Sequence, residues 1–376
     1  MKKTLLITLE FPPQVGGIAS YTQQLAEVLD PKQTIVLAPP LITPEEEVQT
    51  PYRLIRSPFY ISFFWPHWVR LFFSVRKLVK TEHVERILVH HILPVGTVAY
   101  FIKKLFKIPY LIFSHGTDVS FAMTQQKKRA LVEKICKDAE QLIFNSQSLK
   151  QRFLTNLPQF ADKATVLYPC PDTSFLEPVS NTRKQELREL FALNGKNVLL
   201  TVSRLVDGKG IPRLIRLMPE LLKQNPHLIW FVVGDGPKRE FLLNMVEKHA
   251  LQNVVRFVGS VPHSQLREYY ALAEVFVLLT HPDNGLEEGL GLVFLEAAAT
   301  GLPVVAGKSG GVEEAVEHGI TGLVVDTNNK DEVLKAILLL LQDHTYAVQL
   351  GVAGQERVKT QFDWSERVRV LGQWIG

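Results

Sequence analysis

Short runs of consecutive apolar residues alternate along this chain with stretches of helical spacing. The first run, Thr4 to Leu9, ends in Phe11-Pro12-Pro13-Gln14-Val15-Gly16-Gly17. Ile18 to Leu29 then puts Ile18, Tyr21, Leu25, Val28 and Leu29 on one helical face. Strand, glycine turn and helix make the opening unit of a parallel sheet, and Gly16 and Gly17 let backbone come close to a phosphate. Apolar runs recur at Thr34–Ala38, Ile87–His90, Leu111–Ser114, Leu142–Asn145 and Thr165–Tyr168, with helices predicted near 95–106, 124–139 and 147–157. Runs without a polar alternation are strands buried on both faces, so a doubly wound domain is predicted.

The alternation restarts after a polar, helix-prone stretch from Asn181 to Asn194. Strands are predicted at Val198–Val202, Leu228–Val233, Val255–Val258, Val275–Leu279, Val304–Ala306 and Leu323–Val325. The reading is an α/β chain of two Rossmann-like domains facing a central cleft at the strands' carboxyl ends. Residues 1–180 form the first domain and 181–362 the second.

One stretch carries a second message. Pro282 to Gly311 reads as an acidic, glycine-broken loop, a helix from Leu292 to Thr300, a strand and another glycine turn. A helix start preceded by glycines attracts anions, because its first N–H groups are unpaired and the dipole is positive there. Glu288 lies just outside that start and repels the same anion. A neutral, hydroxyl-rich group joined to the anion reconciles the two, which points to a sugar carried on a phosphate.

Composition narrows the class without changing the fold. The 376 residues suit two domains, and 46% apolar with 21% charged residues is ordinary for a globular protein. Cys136 and Cys170 form neither a metal spacing nor a disulfide framework, so a reducing, cytoplasmic compartment is expected. The N-terminal apolar run is interrupted by Glu10 and followed by Pro12-Pro13, so it reads as a strand, not a signal peptide. No run of 18 uncharged apolar residues occurs. The net charge of +4 is unevenly spread: residues 1–190 hold 24 Lys and Arg against 17 Asp and Glu, and residues 191–376 hold 18 against 21. That segregation suggests a surface meeting an anionic partner.

Between Phe59 and Lys80 the chain is rich in aromatic and basic residues. A helix from Trp65 would align Trp65, Trp68, Val69, Phe72, Val75 and Val79, with Arg70, Lys77 and Lys80 opposite. Two readings stay open: a helix on an anionic membrane surface, or a core helix whose basic face meets water. Nucleic acid is not expected, because the aromatics fall on an apolar face and no reading motif accompanies the basic residues.

Ser203-Arg204 and Lys209-Gly210 follow a strand end. Two cations around a glycine turn suit a diphosphate, Arg204 bidentately and Lys209 as a point charge; by themselves they could equally be a solvated loop. His115 follows another strand and could meet a sugar hydroxyl or simply cap the strand. His90 and His91 have no carboxylate or cysteine at ligand spacing, so no metal is expected. Glu288 and Glu296 are separated by the helix start and do not form a close hydrolase pair. Glu288 suits the sugar and Glu296 a ribose; a helix-surface carboxylate is the plain alternative for Glu296.

Taken together, Gly16-Gly17, His115, Ser203-Arg204, Lys209-Gly210, Gly234-Asp235-Gly236-Pro237, Glu288 with Glu296, Gly310-Gly311-Val312 and Gly319 with Thr321-Gly322-Leu323 resemble family 4 of the retaining glycosyltransferases, which have the GT-B fold. The Gly285–Gly311 stretch and Phe11-Pro12-Pro13 are most similar to the phosphatidylinositol mannosyltransferase group. The resemblance implies that Arg204 and Lys209 neutralise the leaving diphosphate in place of a metal. It implies that Gly16, Gly17, Gly234 and the backbone of Gly289, Leu290, Gly291, Leu292 and Val293 line phosphates and sugar. Glu288 would hold sugar hydroxyls, Glu296 the ribose, the strand end at Val258 the base, and His115 the transferred sugar. Trp364 resembles the terminal signature, so a helix over 363–376 is expected to return to the first domain. The family's stretch before the linker is altered to Tyr168-Pro169-Cys170-Pro171-Asp172-Thr173, lacking its glycine.

The implied activity is transfer of a hexose with retention, with α-mannose from GDP-mannose favoured. The acceptor would be lipid-linked or a glycan at the cytoplasmic face of the inner membrane. A UDP-sugar donor, a soluble acceptor, or a nucleotide-sugar-binding scaffold without turnover are the alternatives. No cofactor is implied beyond the nucleotide sugar itself.

Overall fold

The computed structural model describes residues 2–14, 16–41, 48–61, 65–116 and 126–376. The chain divides into two compact units, one of Met1–Pro169 with Trp364–Gly376 and one of Cys170–Asp363.

Among the described residues, the first unit is built on a seven-stranded parallel sheet. Its strands are β1 (Thr4–Ile7), β2 (Thr34–Ala38), β3 (Arg53–Arg56), β4 (Arg86–His90), β5 (Tyr110–Ser114), β6 (Gln141–Phe144) and β7 (Ala164–Val166), in the order 3-2-1-4-5-6-7. The order reverses between β1 and β4, the switch point at which doubly wound sheets bind ligands. The apolar runs became central strands because helices cover both faces: Leu5, Leu6, Ile7, Ile87, Leu88 and Val89 are all fully buried. Sequence reasoning missed β3. Its pattern, Arg-Leu-Ile-Arg, is short and charged at both ends, as suits an edge strand with one side exposed.

The basic-aromatic helix spans Val69–Thr81, so Trp65 precedes it. Its buried stripe is Leu71, Val75, Leu78 and Val79, joined by the partly buried Trp68 and Phe72, and packs into the first unit's core. The expected stripe differs in three places: Leu71 and Leu78 belong to it, and Trp65, 82% exposed, does not. Arg70, Lys77 and Lys80 are exposed on the outer face.

The end of the chain belongs to the first unit. Trp364 is buried, its Nε1–H donates to Gln24 Oε1 at 3.1 Å, and its ring meets Tyr21 edge-on at 5.2 Å. The segment is not one helix over 363–376 but three short turns, Trp364–Arg367, Val368–Leu371 and Gly372–Ile375, which bury Leu371 and Ile375.

The second unit carries a six-stranded parallel sheet among the described residues: β8 (Asn197–Val202), β9 (Leu228–Val233), β10 (Val255–Gly259), β11 (Val275–Leu278), β12 (Val304–Gly307) and β13 (Leu323–Val325), ordered 10-9-8-11-12-13. Here the switch point lies between β8 and β11. The unit starts at Cys170, earlier than the division at 180/181 drawn from sequence. Asp172 Oδ1 caps Ser174 N–H at 2.8 Å and starts the turn Thr173–Leu176. Phe175 is buried against His263 and Tyr270, and Arg267 donates to Ser174 O at 3.0 Å. These contacts tie 170–180 to the second unit.

Candidate active site

In the second unit, β8 runs into the loop 203–210 at the sheet's switch point. The loop is pinned on both sides: His281 N–H, after β11, donates to Gly208 O at 2.9 Å, and Leu205 N–H donates to Asp235 O, after β9, at 3.0 Å. Arg204 is exposed, and its guanidinium has no partner among the described residues. Lys209 Nζ donates to Glu288 Oε2 at 2.6 Å, with both side chains mostly buried. The second unit thus brings together two candidates 79 positions apart and leaves a second cation, Arg204, open to an anion.

The Glu288 backbone is held from behind. Its N–H donates to Ser309 Oγ at 3.3 Å, and its carbonyl accepts from Gly311 N–H at 3.1 Å. A Cβ on Gly310 would lie 2.0 Å from that carbonyl oxygen. The second glycine turn of the 282–311 stretch is therefore the seat of the first. Gly291, at φ +85°, caps the helix Leu292–Ala299 with no side-chain cap. Phe294 N–H turns back to Gly291 O at 2.9 Å, while the N–H groups of Leu292 and Val293 have no acceptor among the described residues and suit an anion. Leu290 and Leu292 are buried, so this segment offers backbone, with Gly289 and Val293 half-buried beside them.

Glu296 is not a helix-surface carboxylate. It is 3% exposed; Oε1 lies 3.1 Å from His263 Nε2, and Oε2 accepts from Tyr270 O–H at 2.9 Å. Burial, reinforced by the charge of Glu296, raises the Tyr270 phenol well above its ordinary value, so it stays a donor. Two acceptor sites on the carboxylate remain for a diol. Gly234 N–H donates to Gly259 O at 2.8 Å, closing the ends of β9 and β10 together. Between Phe257 and Gly259 the β10–β9 register shifts, and Val258 has no partner in β9. A bulge of this kind leaves backbone groups outside the ladder.

The first unit holds the other candidates. Gly16 precedes the helix Gly17–Val28, which also lacks a side-chain cap. His115 follows β5 and is 9% exposed. Its Nε2 is 2.9 Å from Nδ1 of His90, at the end of β4. Tyr21 and Thr22, from the helix led by Gly16 and Gly17, reach the same rings: Tyr21 meets His115 edge-on at 5.1 Å, and Thr22 Oγ1 is 3.4 Å from His90 Nδ1. Burial, then the charge of His91 for His90 and of His90 and His91 for His115, lowers both rings well below the usual histidine value. Both rings are neutral near pH 7.

Of the basic-aromatic residues, Trp68 stacks on Phe101 at 5.8 Å, and Lys80 Nζ lies over Phe106 at 5.8 Å. Phe73, Phe101 and Leu105 are exposed near Arg70, Lys77 and Lys80 in sequence or across the packed helices Val69–Thr81 and Thr97–Phe106. Among the described residues no helix is long and apolar enough to cross a membrane.

Sequence reasoning did not find Ser309, His263, Tyr270 or the role of His90. Ser309 adjoined a glycine turn already singled out, and His90 adjoined a strand end, so both had a local signal. His263 and Tyr270 gave none, because their importance lies in reaching a residue on another helix.

Two doubly wound units, each with its own glycine-led helix, have the architecture of the GT-B glycosyltransferases, which are the structural neighbours of this chain. The comparisons agree. The family description "Glycosyltransferase Family 4" matches residues 15–175, and "Glycosyl transferases group 1" matches residues 182–357. A GDP-mannose-dependent alpha-(1-6)-phosphatidylinositol monomannoside mannosyltransferase of Mycolicibacterium smegmatis is 32% identical, over 99% of this chain and 97% of its own. HepE of Anabaena, solved with UDP and glucose, superposes with a TM-score of 0.82 at 21% identity, over 99% of each chain. Sucrose-phosphate synthase of Thermosynechococcus elongatus does so with a TM-score of 0.82 at 23% identity, over 99% of this chain and 98% of its own. The chain belongs to glycosyltransferase family 4.

Proposed function

We propose that this glycosyltransferase moves an α-mannosyl group from GDP-mannose, with retention, to a lipid-linked or glycan acceptor. The observation that carries the reading is the loop 203–210. It carries Arg204, which has no partner among the described residues, and Lys209, which is paired with Glu288 just ahead of a helix with no side-chain cap. Arg204 and Lys209 take the charge of the departing diphosphate, which removes the need for a metal. Glu288 holds hydroxyls of the transferred sugar, and Glu296 those of the ribose. The base meets backbone at Val258, and His115 meets the transferred sugar. Rate then comes from stabilising the leaving group and from positioning, with attack on the same face from which the diphosphate departs. The choice of mannose and of guanine rests on the full-length likeness to mannosyltransferases that act on phosphatidylinositol mannosides. The UDP-bound neighbours are under 25% identical and bear on fold alone.

Peripheral contact with an anionic membrane is part of the same proposal. It is supported by the exposed Trp65, Phe73, Phe101 and Leu105 and by the basic residues Arg70, Lys77 and Lys80. The experiment is a panel of GDP- and UDP-sugars scored by thermal stabilisation and slow hydrolysis, repeated with anionic and neutral vesicles. GDP-mannose should raise the melting temperature most, by mass action. A UDP-sugar that stabilises more strongly would overturn the donor assignment, and equal affinity for both vesicle types the membrane one.

A further inference from the structure

The ring pair His90–His115 lies in the first unit and holds more information than a contact. The His90 and His115 centroids are 5.1 Å apart and the ring planes differ by 12°. With Nδ1 and Nε2 at 2.9 Å, this is the spacing of two coplanar imidazoles joined edge to edge. Two neutral rings joined this way share one proton, so fixing the tautomer of one fixes the other.

We infer that His90 is a positioning residue that holds His115 as its Nδ1–H tautomer, making His115 a hydrogen-bond donor toward its ligand. Thr22 decides the direction. Its hydroxyl proton is spent on Ile18 O at 2.7 Å, so toward His90 Nδ1, at 3.4 Å, its oxygen can only accept. His90 therefore carries its proton on Nδ1 and shares it between Thr22 Oγ1 and His115 Nε2. In the opposite arrangement His90 would carry it on Nε2, an atom that is buried and has no partner among the described residues. A buried N–H without an acceptor is rarer and costlier than an acceptor with an idle lone pair. The opposite arrangement would also set two lone pairs, from Thr22 and His90, against each other.

The consequence falls on the other nitrogen of His115. With Nε2 committed as an acceptor, the proton sits on Nδ1, which has no hydrogen bond among the described residues and is not among the buried unpartnered atoms. The ring reaches a ligand through that atom. Stacking of His90 on Phe113, 4.7 Å away with planes 9° apart, stops the donor ring from turning. His91 adds no competing bond to the pair, since its Nδ1 lies 2.6 Å from the His90 carbonyl. A sugar hydroxyl facing His115 must then accept from it and send its own proton elsewhere. That catalytic consequence rests on the proposed sugar role of His115; the tautomer does not.

The test is long-range 15N–1H correlation spectroscopy of the full-length protein with labelled histidines, unliganded, at pH 7.5. His115 should show a protonated Nδ1 and a bare Nε2. His90→Asn, whose side-chain N–H can stand where Nδ1–H stood, should keep that pattern and near wild-type turnover. His90→Leu should release His115 to the Nε2–H form and lower kcat about tenfold with KM little changed. A bare Nδ1 on His115 in the wild type overturns the inference, as does the same tautomer in the Asn and Leu variants. His115→Ala separates the two claims. Full transfer by that variant, alongside an Nδ1–H signal of His115 in the wild-type protein, removes the sugar role and leaves the tautomer assignment standing.

Discussion

Replacing Glu288 by Gln should tighten binding of a free nucleoside diphosphate while reducing transfer. The Lys209 ammonium is 2.6 Å from the Glu288 carboxylate, and the two side chains are 25% and 16% exposed. A diphosphate recruiting Lys209 must share it with that carboxylate and also feel its charge. At an effective dielectric of about 20, charges roughly 6 Å apart repel by about 3 kcal/mol. Partial exposure and salt screen about half of this, leaving about 1.4 kcal/mol, or tenfold in affinity. Gln keeps the shape and a hydrogen-bond acceptor and removes the charge. The converse change, Lys209→Met, removes a charge-assisted hydrogen bond of about 1.5–3 kcal/mol and should weaken the diphosphate roughly 10- to 150-fold. Isothermal titration with GDP and UDP, alongside transfer from the intact nucleotide sugar, measures both effects. Wild-type or weaker diphosphate affinity in Glu288→Gln, or full transfer by it, would refute the assigned geometry.

Three further outcomes are expected. Arg204→Ala should leave the melting temperature within about 1–2 °C, since its exposed guanidinium has no partner to lose among the described residues, yet weaken diphosphate binding by about 10- to 100-fold; unchanged titration isotherms would dismiss its role. Gly291→Ala should destabilise the protein by about 1–3 kcal/mol in urea unfolding, because φ is +85° and the new Cβ would lie 2.4 Å from the Phe294 ring. Stability should also fall as pH drops below about 6.5, because His90 and His115 stay neutral when folded but protonate when unfolded. Their depressed folded values mean this contribution is complete above 6.5 and lost below it. His90→Phe should flatten the fall in melting temperature between pH 7.5 and 5, and an unchanged slope would contradict the assignment.

Both sheets, apart from the edge strand Arg53–Arg56, were legible in the sequence, because buried parallel strands write themselves as unbroken apolar runs and their turns as glycine and proline. The helix start at Leu292 and the turn at 307–311 were readable for the same local reason. The outward basic face of Val69–Thr81 was readable too, but its start was not: Trp65 carries the helical period without being in the helix. The unit boundary also escaped, because Phe175 declares its side only by packing on His263 and Tyr270.

The sequence by itself determined where cations, glutamates and glycine turns occur, since each depends on a few neighbouring residues. Only the tertiary structure decided what those groups do to one another. It joined Lys209 to Glu288, buried Glu296 between His263 and Tyr270, and set His90 against His115. Those pairings span 25 to 79 positions and are made by strand order and helix packing, which no local pattern encodes. The 282–311 stretch shows both sides: its loops and helix were visible as sequence, and the hold of Gly311 and Ser309 on the Glu288 backbone came only from folding one turn onto the other.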